Sequence, residues 1–468
     1  MAAIALAKGR YVRSENIPAR PLNMIFEADP TNVDDQVSMI SRPGLSYLGN
    51  AGGGFIAGLI RRENANDDVF GVSGEFYFAV SSSGAVSVGS GGISGSSRVR
   101  MATDGANTMI VRSGTLYCKP GSGPLDVVAL PDTSQASDVV YLAGRFWVSI
   151  KSTGRVYFTN PGETTIDPLN YFTAESSPDA IQGLGVDDDQ LMILGRSSIE
   201  WWTPTGDPDL PAQRVVGRHS PAGLASVFSL ATTDAGLAWV GDDGIIYRSG
   251  GIPTPISQPD IAEAIARGRL IANDNDPATT LNGWSFTLEQ HVYYVLDVPG
   301  EGTLAYDFTT GQWSDFGTNG KSLFMAGCGA KLAKGKWITG GSFDSKIRQI
   351  TPTALTDDGT PLVREFFGLT RSRTTLRFSN VFTECSVGGA GLAYPSDDPK
   401  LAMRYSDNEG KTWSEWQYAS LGRQGQYNRK PTFKNPTKMR FGTRIWCWRM
   451  SDPVPFTVHT AGYNEKLT

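Results

Sequence analysis

The residue types that most often carry chemistry are sparse in this chain, and their spacing offers little to catalysis. The three histidines (His219, His291, His459) and four cysteines (Cys118, Cys328, Cys385, Cys447) are isolated, with no C-x-x-C and no cluster of the kind a zinc site needs. Four reduced, mostly buried thiols are expected, with synthesis in a reducing compartment and no metal or cofactor. A glycosidase needs two positioned carboxylates. Glu175, Glu200, Asp207 and Asp297 are available, but nothing in their spacing singles out a pair. No G-x-S-x-G, H-E-x-x-H or G-x-x-x-x-G-K-[ST] occurs. The run ANDNDPATT around Asp274 and Asp276 lacks the glycine and distal glutamate of a calcium loop and reads as a solvated loop. No catalytic residue is expected.

Two stretches near the C-terminus carry more information. MRYSDNEGKTWSEW, from Met403 to Trp416, holds an Asp-box-like turn in Ser406, Asn408, Gly410, Thr412 and Trp413, with Asn408 in the aspartate's place. Such a turn bonds short polar side chains to its own backbone amides and seats the tryptophan beneath. The motif recurs in sialidases, usually in several copies, whereas here one good copy stands outside the repeats described below. It reads first as a locked hairpin; the alternative is a carbohydrate-active (sialidase-like) or carbohydrate-binding propeller.

The second stretch runs from Arg423 to Arg449 without an acidic residue. Arg423, Arg429, Lys430, Lys434, Lys438, Arg440 and Arg444 alternate with aromatics such as Tyr427, and Phe433, Phe441, Trp446 and Trp448 continue the pattern. This suits an interface with an acidic protein partner, a solvated sheet face, or stacking and phosphate contact with nucleic acid; the first is the leading reading.

The scaffold is expected to be all-β. The chain has 468 residues, 54 of them glycine and 27 proline, with 40% hydrophobic residues, enough for a large core punctuated by turns. Hairpin-like segments centre on Gly74, Gly114, Gly154, Arg196, Asp243, Glu301 and Asp344, spaced 40 to 58 residues apart. Paired strands at that period are how propeller blades appear in sequence, which predicts six or seven blades over 51–354. QPDIAEAIARGRL predicts a helical insertion near 259–270. Residues 1–50 read as an extended arm or blade-completing strand, and 355–468 as a separate C-terminal β domain. The net charge of −5 argues against a surface that grips nucleic acid throughout, and no apolar run is long enough to span a bilayer.

The segment from Tyr171 to Asp207, YFTAESSPDAIQGLGVDDDQLMILGRSSIEWWTPTGD, is similar to a stretch of the tail hub, or nozzle, proteins of short-tailed bacteriophages, also called packaged-DNA stabilisation proteins. The matching positions are Ala174, Glu175, Ser176, Pro178, Asp179, Gly183, Gly185, Gly195, Ser198, Ile199, Glu200 and Trp201. PLNMIFEADP, DIAEAIAR and the C-terminal LGRQGQYNRK and MRFGTRIWCWRMSDPVPF match more weakly. The resemblance implies a virion tail protein made in the host cytoplasm rather than an enzyme. It implies a ring, a homohexamer, beneath the portal and adaptor that carries fibres or tailspikes. Double-stranded DNA would pass through without sequence-specific binding and be retained until ejection. A ring needs a heterologous interface, and a lumen of negative sign would let DNA slide, so the basic 423–449 stretch is expected to face protein.

Overall fold

The computed structural model of the 468-residue chain describes residues 2–7, 20–29, 37–62, 69–174, 179–207, 210–332, 335–389, 398–434 and 436–465. The chain forms two compact units, Tyr47–Gly302 with Phe324–Gln349, and Met1–Ser46 with Thr303–Leu323 and Ile350–Thr468. The fold is all-β, a seven-bladed propeller and a C-terminal β-sandwich.

Six blades are four-stranded meanders. They run from Ile56–Arg61 to Val86–Gly91 (blade one), Arg100–Thr103 to Asp126–Val127 (two), Ala136–Leu142 to Tyr171–Thr173 (three), Ile181–Asp187 to Ala212–Ser220 (four), Ala231–Thr233 to Thr254–Pro255 (five) and Asn282–Leu288 to Gln312–Phe316 (six). Blade seven takes Ala326–Lys331, Trp337–Gly341 and Lys346–Thr351 from one end of the sequence and Gly44–Asn50 from the other. The short strands Thr356–Asp357 and Thr360–Pro361 extend that sheet, with Asp357 opposite Leu45. All seven hairpins visible in the sequence are the second and third strands of blades. A single meander cannot cover both its apolar faces, so neighbours do. Trp147 and Phe158 of blade three pack with Leu184 and Ile193 of blade four, and Met192 and Trp201 of blade four pack with Leu237 and Trp239 of blade five.

The first strand of every blade lines an axial cavity of about 700 Å3. A polar clamp crosses it. Arg100 of blade two donates from Nε and Nη2 to Asp138 of blade three (2.8 and 3.2 Å) and from Nη1 to the Leu230 carbonyl at blade five (3.0 Å). Asp138, fully buried, also accepts the backbone N–H of Leu184 in blade four at 2.9 Å.

The helix Pro259–Arg269 buries Ile261, Ala264 and Ile265. Gly268 is required there, because a Cβ would stand 2.4 Å from Val298. Asn273 and Asp276 cap amides of the following loop, and Asp274 accepts the Ser226 hydroxyl at 2.8 Å, so these side chains serve the loop itself. The Ser96 hydroxyl donates to the Asn275 carbonyl, which ties the loop across one end of the axis. Burial pushes the Asp274 carboxyl above its ordinary value, and the Ser226 hydroxyl and the charge of Lys151 oppose that only in part.

In the C-terminal sheet the strand order is Met24–Ala28, Val37–Ser41, Thr457–Glu465, Ala2–Leu6, Arg364–Ser372, Gly442–Met450, Lys400–Ser406 and Gln417–Ser420. Phe378–Cys385 bridges Thr457–Glu465 and Thr432–Lys434. The N-terminal segment is therefore divided, its first three strands in this sheet and the fourth in blade seven. Aromatics fill the core, with Phe366 stacked on Trp448 at 5.0 Å and Phe378 edge-on to Trp446 at 5.3 Å.

Candidate functional site: a basic edge on the sandwich

The Asp-box-like turn is built as its residue types require. The Ser406 hydroxyl donates to Asn408 Oδ1 (2.9 Å) and accepts the Gly410 N–H (2.9 Å). Asn408 Oδ1 accepts the Thr412 N–H (2.9 Å), and its Nδ2 donates to the Thr412 hydroxyl (2.8 Å). Trp413 is half-buried and lies against a guanidinium: Arg404 sits between the Trp413 and Trp416 rings at 4.5 and 4.4 Å, and Arg449 covers Trp416 at 4.7 Å. The side chains of Ser406, Asn408 and Thr412 are spent on the turn itself.

The basic stretch separates into buried and exposed members. Arg444, expected at a partner interface, is fully buried. It grips Asp407 through Nε and Nη2 at 2.6 Å each, donates to the Thr437 carbonyl at 2.8 Å and stacks on Tyr405 at 4.0 Å. It sits in Gly442–Met450, a central strand covered on both faces, so its charge holds the Asp407 turn instead of meeting a partner. Phe433, Trp446 and Trp448 are likewise core residues. Lys430 is exposed but occupied, paired with Glu384 at 2.5 Å over the Phe382 ring. Arg423, Arg429, Lys434, Lys438 and Arg440 are exposed, together with Tyr427 and Phe441.

Strand pairing adds three cations that the sequence reading missed. Arg371 lies opposite Thr443, and Leu376 bridges Met439, so 371–377 runs antiparallel beside 438–443. Leu376 and Met439 turn inward, which puts Arg377, Lys438 and Arg440 on the outer face. Arg371, Arg373 and Arg377 are all exposed. The available signal was the run TRSRTTLR, three arginines with no acidic residue between Glu365 and Glu384. The result is an edge of five cations around exposed Phe441, none ion-paired among the described residues.

The carboxylates considered for hydrolysis do not converge. Glu200 is buried and accepts the Trp202 indole N–H at 3.1 Å. Asp297 is buried beside Asn282 and Arg98 (3.1 and 3.9 Å), and Asp207 is exposed, accepting the Leu210 N–H at 3.1 Å. Glu175 lies outside the described residues, with Ser176 and Pro178 of the same motif.

The remaining residues of that motif are architectural. Asp179 accepts the Ser197 N–H (2.7 Å) and the Ser198 hydroxyl (2.8 Å). Burial pushes its carboxyl up, but these bonds outweigh burial and hold it below the ordinary value. Gly195 leaves room for that carboxylate, since a Cβ would lie 2.5 Å from it. Gly183 and Gly185 are inner-strand positions where Leu224 and Leu237 press close. Trp201 is buried under the Arg218 guanidinium at 4.5 Å. The four cysteines are unpaired; burial pushes the Cys328, Cys385 and Cys447 thiols up to about 12.

A propeller joined in sequence to a β-sandwich defines an all-β protein of two modules. Family models identify it further. Residues 2–354 match the model described as bacteriophage P22 Gp10, β-propeller, and residues 369–464 match bacteriophage P22 Gp10, β-sandwich. The chain belongs to the bacteriophage P22 Gp10 family and is a structural protein of a phage tail.

No match was found among curated proteins. Solved structures with a similar fold include virginiamycin B lyase from Staphylococcus aureus (11% identity, 65% of this chain and 96% of that chain, TM-score 0.43). The WD40 β-propeller domain of Doa1 (11%, 66% and 97%, 0.41) and BamB from Moraxella catarrhalis (12%, 67% and 90%, 0.38) are also similar. At these identities and scores no activity carries across. No described helix is long and apolar enough to cross a membrane.

Proposed function

We propose that this protein forms a ring, a homohexamer, in the phage tail below the portal and its adaptor. The ring continues the DNA channel, retains packaged DNA until ejection and carries fibres or tailspikes. Membership of the Gp10 family over both the propeller and the sandwich is the observation that carries this reading. A propeller suits such a part because its sheets close around an axis and leave only short edges for unwanted pairing. The bore of one propeller is crossed by the Arg100–Asp138 clamp, so the channel belongs between copies, not inside one. Net acidity would let DNA pass without sequence-specific contact, whereas a basic wall would hold it by many phosphate contacts. The exposed basic edge then faces an acidic protein surface.

Negative-stain imaging of the purified protein with its portal–adaptor complex tests the proposal. Closed rings with a central channel, attached at the adaptor end, are expected. Absence of any ring, or cleavage of bacterial surface polysaccharide or sialosides by the purified protein, would overturn it.

A further inference from the structure

The two rims of the propeller differ in how their carboxylates are neutralised. Because each blade repeats the same meander around the axial cavity, the turns after the innermost strands all open on one rim, and the turns between second and third strands open on the other. On the second rim three turn carboxylates are paired, Asp242 with Arg269 (2.8 Å), Glu301 with Arg267 (2.7 Å) and Asp344 with Arg348 (2.6 Å), and Asp243 is tied to the Tyr247 hydroxyl, which leaves Glu75 alone in the turns there. On the first rim, blades two, four, five and six present Asp104, Asp188, Asp189, Asp234 and Glu289. Asp104 is half-buried and caps its own turn; the other four are exposed, and none of the five is ion-paired among the described residues. The cations that open to solvent in this rim's inner turns, Arg61, Lys331 and Lys336, belong to blades one and seven; Arg145 of blade three is buried and Arg218 of blade four is turned to Asp187 and Gln190, which leaves an acidic arc over blades two to six.

A closed ring requires two different patches on each copy that fit one another. We infer that the acidic arc of one copy's propeller receives the basic edge of the neighbouring copy's sandwich, Arg371, Arg373, Arg377, Lys438 and Arg440. The inference rests on the ring reading above, and its partner is a second copy of this chain. Five unneutralised carboxylates stand against five unneutralised cations, and opposed potentials of this kind steer encounter and fix register. Exposed Phe441, at the centre of the basic edge, supplies an apolar anchor that the charges surround. Like-charge contacts, edge to edge or arc to arc, are repelled, so the pattern selects edge-to-arc contact, which closes a ring when the two patches of one copy engage two different neighbours.

The test uses the full chain in two charge-reversed forms. One carries Arg371→Glu, Arg373→Glu and Arg377→Glu; the other carries Asp188→Lys, Asp189→Lys and Asp234→Lys. All six sites are exposed, and circular dichroism confirms that both variants fold. Sedimentation velocity and negative-stain imaging then follow ring formation. Wild-type rings should weaken as salt rises from about 50 to 500 mM, because exposed charges are screened over a shorter distance. Each variant alone should lose ring assembly on the order of a hundredfold. An equimolar mixture should recover it, since each edge then finds an arc of opposite sign. Rings formed by either variant alone, or a mixture that stays unassembled, would overturn the inference while leaving the tail-ring reading standing. A wild-type protein that forms no ring at any salt, with or without its portal–adaptor complex, would overturn both.

Discussion

Replacing Asp138 tests whether the clamp across the propeller axis holds the blades in place. Its fully buried carboxylate accepts Arg100 Nε and Nη2 at 2.8 and 3.2 Å, the Leu184 N–H at 2.9 Å and its own neighbour's Val139 N–H at 2.8 Å. Alanine would strand the Leu184 amide, at a cost of about 1–3 kcal/mol. It would also leave Arg100 without its counter-ion. Breaking a fully buried pair costs about 3–5 kcal/mol. The Arg100 side chain is 21% exposed, toward the cavity, so water restores part of its solvation. The sum lands near 3–4 kcal/mol, the lower half of the range for breaking a buried pair. At about 2 °C per kcal/mol for a domain this large, the propeller transition should fall by about 6–8 °C. Asp138→Asn keeps one acceptor oxygen and should fall about half as far. Differential scanning calorimetry of the full chain measures both, with exposed Asp126→Ala as the control that should not move. A midpoint for Asp138→Ala within about 1 °C of wild type would refute the clamp. Equal losses for Ala and Asn would shift the cause from the Leu184 bond to the charge of Arg100.

Arg444→Ala should destabilise the sandwich by about 2–4 kcal/mol, because it empties a fully buried site and removes the stack on Tyr405, while Asp407, 45% exposed, is solvated in part; Arg444→Lys should recover little, having no fork to match the carboxylate. Near-ultraviolet circular dichroism, reporting on Trp446 and Trp448, would follow it. Gly195→Ala should cost about 1–3 kcal/mol by driving a methyl into the Asp179 carboxylate, measured as a shift in the urea midpoint. Asp274→Asn should raise stability near pH 7. Burial holds the folded-state pKa above the ordinary 3.8, so the wild-type penalty is complete above that raised value and gone below about pH 4. Thermal melts of wild type and variant should therefore converge as the pH falls, and a constant gap would contradict the assignment.

The parts of this fold legible in sequence are those with local signatures. The middle two strands of each blade are largely apolar and joined by a short turn, so all seven hairpins declare themselves at Gly74 through Asp344. The outer strands do not. Asp126–Val127 and Thr254–Pro255 are two residues long and exposed, too short for any period to appear. Closure of blade seven by Gly44–Asn50 is a pairing across some three hundred residues; the sequence offered a blade-completing strand within 1–50 as one reading but not which residues supply it. The candidate site divides in the same way. Charge along 423–440 was visible, but a linear run cannot show that Arg444 enters a strand buried on both faces. Nor can it show that the pairing of Leu376 with Met439 brings Arg371, Arg373 and Arg377 to the same edge.

The Asp-box-like turn explains why a motif borrowed by enzymes says so little about activity here. Asp104, Asp179, Asp243 and Asn408 each accept amide protons of a turn, so the chemistry is one this chain uses wherever a hairpin must be held. At position 408 the amide also donates, through Nδ2, to the Thr412 hydroxyl. Aspartate could not supply that proton, but the hydroxyl could reverse and donate instead, so the turn survives either residue. Asn408→Asp should therefore shift the sandwich midpoint by no more than about 0.5 kcal/mol, whereas Ser406→Ala, which strips the turn of the acceptor for the Gly410 N–H, should cost about 1–2 kcal/mol. If the two substitutions cost the same, the turn would be held by something other than its side-chain bonds, and the stack of Arg404 between Trp413 and Trp416 is the contact that would have to do it.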